Sequence, residues 1–395
     1  MTERPTIRLR PKIGARLRQG APWAFADEIV MDRRTRALAP GTIARLEDDA
    51  RRPLATVAFH PGSKIAARIL DPDPEAEIGE SWLAARLARA LALREALYAA
   101  PYYRLVHAEA DGLPGVVIDR YREAAVMQPN AAWAERLAGP LAAALRATAG
   151  VTTVVLNGLG RTRGLEGLEE RLEIVEGHLD GPVPVPMNGA TYFADLLGGQ
   201  KTGLYYDQRP NHAFAARLAR GRHMLDVFAH AGGFSLAALA GGAASALALD
   251  GSAAALALAE KGAEATGVAG RFAARRGDAF ETLAALRTEG VRFGLVVCDP
   301  PAFAPARSAL ESGLRAYEKL ARLAAALVEP DGFLVLCSCS HAADLVRFRD
   351  ASLAGLARGG RQAQILHVGG AGPDHPVHPA LAETSYLKAL FLRLD

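Results

Sequence analysis

Cysteine is scarce. Three cysteines in 395 residues, two of them one residue apart in LVLCSCSH, cannot make a disulfide framework, so the chain is expected in a reducing cytoplasm. Nor do three cysteines with a C-x-C supply the spaced tetrahedral set of a zinc site. The paired His375 and His378 in DHPVH have no partner cluster and are read as a loop near the pocket, so no metal is expected. Half the residues are apolar, yet no run approaches the ~20 uncharged apolar residues of a membrane helix. No membrane partner is therefore expected, and MTERPTIRLRPK lacks the apolar core of a signal peptide. The full GxGxxG of a dinucleotide site is missing as well. There are no internal repeats and no low-complexity tail.

The net charge is only +3, but the basic residues are unevenly spread. Arg8, Arg10, Lys12, Arg16, Arg18, Arg33 and Arg34 lie between Arg4 and Arg36 against few acids. A basic end on a near-neutral chain suggests a polyanion partner, although a solvated arginine-rich surface would look the same. Trp23 and Phe25, in PWAF beyond the basic stretch, could stack on RNA bases or fill a small β core.

Residues 1–72 show short β-like runs broken by Pro and Gly, and one weak helical patch near 12–20. DPDPEAE at 71–77 reads as a linker. A small α+β domain is expected over 73–186, with a helix over 81–100 capped by Ser81. A strand, a DGLPG turn, a second strand, a helix over 131–149 and a strand over 152–157 follow. From 187 to 395 strands and helices alternate. Apolar strands at 224–228, 244–249, 270–274, 293–298, 332–337 and 362–367 predict a mostly parallel, Rossmann-like sheet covered on both faces. The last run, SYLKALFLRL, follows a loop and is read as an antiparallel seventh strand.

The third domain is organised around MLDVFAHAGGFSLAAL, an apolar strand, a two-glycine loop and a helix. Gly232 and Gly233 admit backbone amides to a ligand, and Phe228 and Phe234 bracket the same loop. Asp226 can accept from an ammonium group and Asp250, at the next strand end, from ribose hydroxyls. Asp278 and Ala279, after the third strand, suit an adenine edge, although Asp278 could equally cap the following helix. Acids at three successive strand ends suit a cationic, phosphate-free nucleoside such as S-adenosylmethionine. Asp299, Pro300 and Pro301 in VCDPPAF make a rigid loop at the fourth strand, with Phe303 as a stacking surface for a planar base. In CSCS, period two puts Cys337 and Cys339 on one face, with Cys339 nearer the open end. A thiol there could add to C6 of a pyrimidine and activate C5 toward methylation, while Asp299 holds the base near N3 and N4. Cys298 is read as buried packing, and so is Cys337.

PWAF after a basic start, DGLPGVVIDRY, GQKTGLYYDQR, FAHAGGF, VCDPPAF, CSCS and DHPV together resemble the bacterial large-subunit ribosomal RNA cytosine-C5 methyltransferases over nearly the whole chain. That resemblance implies an N-terminal PUA domain (1–72), a central α+β domain (73–186) and a class I S-adenosylmethionine-dependent domain (187–395). It places Cys339 on the nucleophile and Asp299 on its acidic partner. It places Lys201, Thr202, Tyr206, Asp207 and Arg209 on a segment closing over cofactor and target, with Tyr206 and Arg209 on the cofactor side. Arg16 and Trp23 would then meet ribosomal RNA, the product would be 5-methylcytidine in 23S rRNA, and a homodimer would be plausible. Departures from the family pattern are Ala302, where Lys is usual, His230 and Ala231, where Tyr and Thr are common, and His341, where Gly is usual. The rival readings are an exocyclic-amine methyltransferase on RNA that needs no cysteine, a non-catalytic PUA-type RNA-binding protein, and a small-molecule methyltransferase.

Overall fold

The computed structural model describes residues 4–199 and 202–395. These fall into two compact units. The first runs to Gly181 and takes in Leu196–Thr202 and Asp374–Thr384; the second comprises Pro182–Asp195, Gly203–Pro373 and Ser385–Asp395.

In the first unit, β1 (Thr6–Arg8), β2 (Trp23–Phe25), β3 (Thr42–Glu47), β4 (Pro53–Phe59) and β5 (Ile65–Asp71) form a sheet in the order β1-β3-β4-β5-β2. Alternating side chains bury Ile7, Leu46, Val57 and Phe59 beneath it. A second sheet, β10-β9-β8-β7-β6, is built from β6 (Tyr102–His107), β7 (Val116–Tyr121), β8 (Ala124–Pro129), β9 (Thr153–Asn157) and β10 (Leu172–Glu176). The helix Glu80–Leu97 buries Leu83, Leu87, Ala90 and Arg94, spaced four, three and four. Its cap position is Gly79, without a side-chain cap, and Ser81 lies inside the first turn rather than before it. The expected helix over 131–149 is two pieces, Ala132–Arg136 and Ala138–Ala149. The sheets are joined by Arg68 of β5, whose guanidinium bridges Glu109 at 3.2 Å and Glu166 at 2.9 Å.

The late DHP segment belongs to this unit. Asp374 accepts from Arg104 N at 3.0 Å, its carbonyl accepts from Arg94, and its carboxylate lies 3.0 Å from His375 Nδ1. His375 lies, as expected, in a loop, and it is buried within this unit.

The second unit opens with a hairpin, β11 (Val183–Met187) and β12 (Ala190–Ala194), so the VPVP run pairs forward into this unit. Its sheet has the order β15-β14-β13-β16-β17-β19-β18. The strands are β13 (His223–Val227), β14 (Ser245–Asp250), β15 (Phe272–Arg276), β16 (Phe293–Cys298), β17 (Val328–Ser338), β18 (Ala363–Gly369) and β19 (Lys388–Leu394). β13 to β17 are parallel, and β19 inserts antiparallel between β17 and β18. Leu225, Val227, Val296, Leu334 and Leu336 are fully covered, as continuous apolar strands require. On one face the helices Leu310–Ala325 and Leu345–Arg358 touch closely at Gly355, where a Cβ would meet Glu318 O at 2.3 Å and Ala321 Cβ at 3.0 Å. Alanine has the better helix propensity, by up to ~1 kcal/mol, but the clash with backbone dominates. Gly355→Ala should destabilise the protein by about 1–3 kcal/mol, read as a lower urea midpoint at unchanged m-value; an unchanged midpoint would contradict this packing.

Candidate active site

Strand order reverses between β13 and β16, and in open α/β sheets ligands bind at the carboxyl ends of strands beside such a reversal. Phe228 follows β13 there, and Asp299 N donates to Val227 O at 3.1 Å, fixing the two strand ends side by side. The loop after β13 is strained. Phe228 (φ +64°), His230 (φ +48°) and Gly232 (φ +79°) all occupy the left-handed region, which disfavours a bulky side chain such as Phe. What holds it is local. His230 N donates to Asp250 Oδ2 at 2.9 Å, and Ala229 N to Leu249 O at 3.0 Å. Gly233 is required by the protein's own side chain: a Cβ would sit 2.7 Å from the His212 ring. That ring packs edge-on to buried Phe234 at 4.5 Å, and burial drives its pKa down to about 3, so it is neutral.

Asp226 is fully buried in β13. Its Oδ2 accepts from Ser235 N at 2.9 Å and Ser235 Oγ at 2.5 Å, while its Oδ1 has no hydrogen-bond partner among the described residues. Burial pushes the carboxyl up to about 6, the Ser235 bonds oppose this, and the Asp250 charge adds to it. Asp250 is half-buried and accepts from two backbone amides, His230 N and Ser252 N. Asp278 is exposed and caps the helix Ala279–Thr288, accepting from Glu281 N at 3.0 Å, while Ala279 is buried at its first position. Asp278 thus caps this helix through one carboxylate oxygen.

The loops after β16 and β17 are stitched together. Ser340 is buried, and its Oγ accepts from Ala304 N at 3.0 Å and lies 2.8 Å from Tyr317 Oη. Ser338 Oγ donates to the same phenol at 2.9 Å. Ser338 therefore faces the helix Leu310–Ala325, and alternation turns Cys337 to the other face. Cys298 and Cys337 are buried; Cys339 is half-exposed. Burial, reinforced by the Asp299 carboxylate, raises the thiol pKa of Cys337, and burial raises that of Cys298, so both stay protonated. Pro300 is buried and Pro301 exposed. Phe303 is not a free stacking face: its ring is held 4.9 Å from Tyr317, 6.1 Å from Phe280 and 6.4 Å from Phe228.

Tyr205, which the sequence reading passed over, is the hub. Burial raises its phenol pKa, and Asp299, Asp207, Cys339 and Asp250 lie near enough to raise it further, so it remains a neutral hydroxyl. Its ring meets His230 at 5.0 Å. Tyr206 is buried under the Arg209 guanidinium at 5.3 Å. Asp207 is buried and accepts from Tyr386 Oη at 2.5 Å. Thr202, Arg16 and Trp23 belong to the first unit. There the Thr202 carbonyl accepts from Tyr121 Oη at 2.9 Å, Arg16 pairs with Glu28 at 2.6 Å, and the Trp23 indole donates to Glu109 at 2.8 Å. Lys201 lies outside the described residues. Among the described residues no group of three or more His, Cys, Asp or Glu could hold a metal, and no helix is long and apolar enough to cross a membrane.

This sheet order, with acids at successive strand ends, is that of a class I methyltransferase. The description of S-adenosylmethionine-dependent methyltransferases matches residues 173–393, and that of a PUA-like domain matches residues 7–72. A ribosomal RNA large subunit methyltransferase of Deinococcus radiodurans is 35% identical, covering 99% of this chain and 98% of that one. A ribosomal RNA large subunit methyltransferase I of Photobacterium profundum is 34% identical over 94% and 95%. Among solved structures, a candidate S-adenosylmethionine-dependent methyltransferase from Streptococcus mutans superposes with a TM-score of 0.82 at 17% identity, covering 98% of this chain and all of the other. The chain belongs to the S-adenosylmethionine-dependent methyltransferase family that carries an N-terminal PUA-like domain, the family of the ribosomal RNA large subunit methyltransferases. The buried, unpartnered oxygen of Asp226 is an acceptor awaiting a donor, which the ammonium-bearing cofactor of this family can supply.

An acid whose pKa is higher folded than unfolded favours the native state once protonated. The Asp226 contribution is therefore lost as pH rises from about 4 to about 6 and regained as pH falls. Asp226→Asn should flatten this part of the stability profile, measured by urea unfolding across that range; an unaltered profile would contradict the assignment.

Proposed function

We propose that this protein forms 5-methylcytidine in large-subunit ribosomal RNA, with Cys339 as covalent nucleophile. The observation that carries the reading is the contrast among the three thiols: Cys298 and Cys337 are buried, while Cys339 is partly open at the end of β17. Ser340 ties its loop to the loop that begins at Asp299. Cytosine C5 is too weak a nucleophile to take a methyl group unaided. Addition of the Cys339 thiolate to C6 forms an S–C6 bond and concentrates electron density at C5. Bound S-adenosylmethionine supplies an electrophilic methyl group. Once C5 carries the methyl, loss of the C5 proton breaks the S–C6 bond and restores the thiolate. Asp299 steadies the base near N3 and N4, with Pro300 and Pro301 keeping its loop rigid.

On the cofactor side, Asp226 takes the ammonium group, Asp250 the ribose hydroxyls, and Asp278 with Ala279 the adenine edge. Phe228, Gly232, Gly233 and Phe234 form the loop that receives it, and Tyr206 and Arg209 close over it. Asp207 serves the target nucleotide. In the first unit the exposed Arg33, Arg34 and Arg36, with Arg16 and Trp23, offer phosphates a basic surface. Arg16 can exchange an exposed ion pair for a phosphate at little cost.

The test is nucleoside mass spectrometry of ribosomal RNA from cells lacking the gene. One 5-methylcytidine should disappear, return with the wild-type gene, and stay absent with Cys339→Ala. Disappearance of an N-methylated base instead, or rescue by Cys339→Ala, would overturn the covalent reading.

A further inference from the structure

Lys388 lies in β19 opposite Ser338 of β17 and is 7% exposed. Its Nζ donates to Ser340 O at 2.7 Å and to Ala343 O at 2.8 Å. Those two carbonyls bracket the loop leaving β17, and Cys339 stands at its start. An ammonium has three N–H groups, and these bonds use two. Among the described residues no carboxylate lies within ion-pairing distance of Lys388, so a buried cation is held there by carbonyl dipoles alone, a costly arrangement without an anion nearby. Burial lowers the lysine pKa, and the charges of Cys339 and Asp344 oppose that shift. Tyr205, Tyr317 and Cys337 also lie close enough to Cys339 for its charge to move their titration. All three are neutral at pH 7, so of these groups Lys388 supplies the positive charge.

We propose that Lys388 is the positioning residue for Cys339: it pins the loop through Ser340 and Ala343, and its ammonium stabilises the cysteine as thiolate. The purpose rests on Cys339 being the nucleophile, but the electrostatic effect can be read without any methylation.

Iodoacetamide alkylation of Cys339 in the full-length protein, followed by peptide mass spectrometry across pH, tests it. Buried Cys298 and Cys337 report in the same spectra whether the fold is intact. In the unaltered protein the alkylation midpoint should lie below the ordinary thiol value of about 8.5. Lys388→Met should raise it by about one pH unit, and so slow alkylation about tenfold near neutrality. Lys388→Gln, which keeps donors for the two carbonyls but removes the charge, should do the same, and Lys388→Arg should restore the low midpoint. A midpoint at or above the ordinary value in the unaltered protein overturns the proposal. So does an unchanged midpoint in either neutral variant with Cys298 and Cys337 still protected. Shifted midpoints alongside 5-methylcytidine formation by Cys339→Ala would leave this effect standing and overturn only the covalent reading.

Discussion

The hydroxyl of Ser340 joins two loops that have no ladder of their own. β16 and β17 are hydrogen-bonded to each other, but past Cys298 and Leu336 that support ends. Beyond it, Ala304 N on one loop and Tyr317 Oη from the covering helix both meet Ser340 Oγ. Each such bond contributes about 1 kcal/mol net, but a buried donor left without its acceptor costs about 1–3 kcal/mol. The larger effect is geometric: Asp299 and Cys339 keep a fixed relation because a buried serine, a tyrosine and the carbonyl clamp of Lys388 leave the loops little freedom.

The loop after β13 is supported differently. Left-handed φ values at Phe228 and His230 cost on the order of 1–3 kcal/mol each. The return comes from β14, through the Asp250 carboxylate and the Leu249 carbonyl, and from the His212 ring filling the space a Cβ on Gly233 would need. Strain held in place by a neighbouring strand end keeps this backbone in one conformation.

Much of this was legible in the sequence because it is local. Alternating apolar runs and helices give the parallel sheet, and period two turns Cys337 away from the face of Ser338. The acids at 226, 250 and 299 announce themselves as single carboxylates at or beside strand ends. What was hidden depends on residues far apart in the chain. Tyr205 matters because the charges of Asp299, Asp207, Cys339 and Asp250 reach its phenol, and Lys388 looked like one more residue of an apolar strand. Phe303 read as a free ring, but Phe228, Phe280 and Tyr317 claim its surface. Gly233 read as a ligand contact, though His212 already explains it. The DHP segment carries no local sign that Arg94 and Arg104 of the first unit will take it.

The central claim is that a bond forms between Cys339 and the target base. An RNA fragment carrying 5-fluorocytidine tests it directly, because fluorine at C5 cannot leave as a proton does and the adduct stalls. With S-adenosylmethionine present, mass mapping should find the RNA joined to the peptide containing Cys339. A folded, cofactor-binding protein that forms no adduct, or forms it at another residue, would contradict the account.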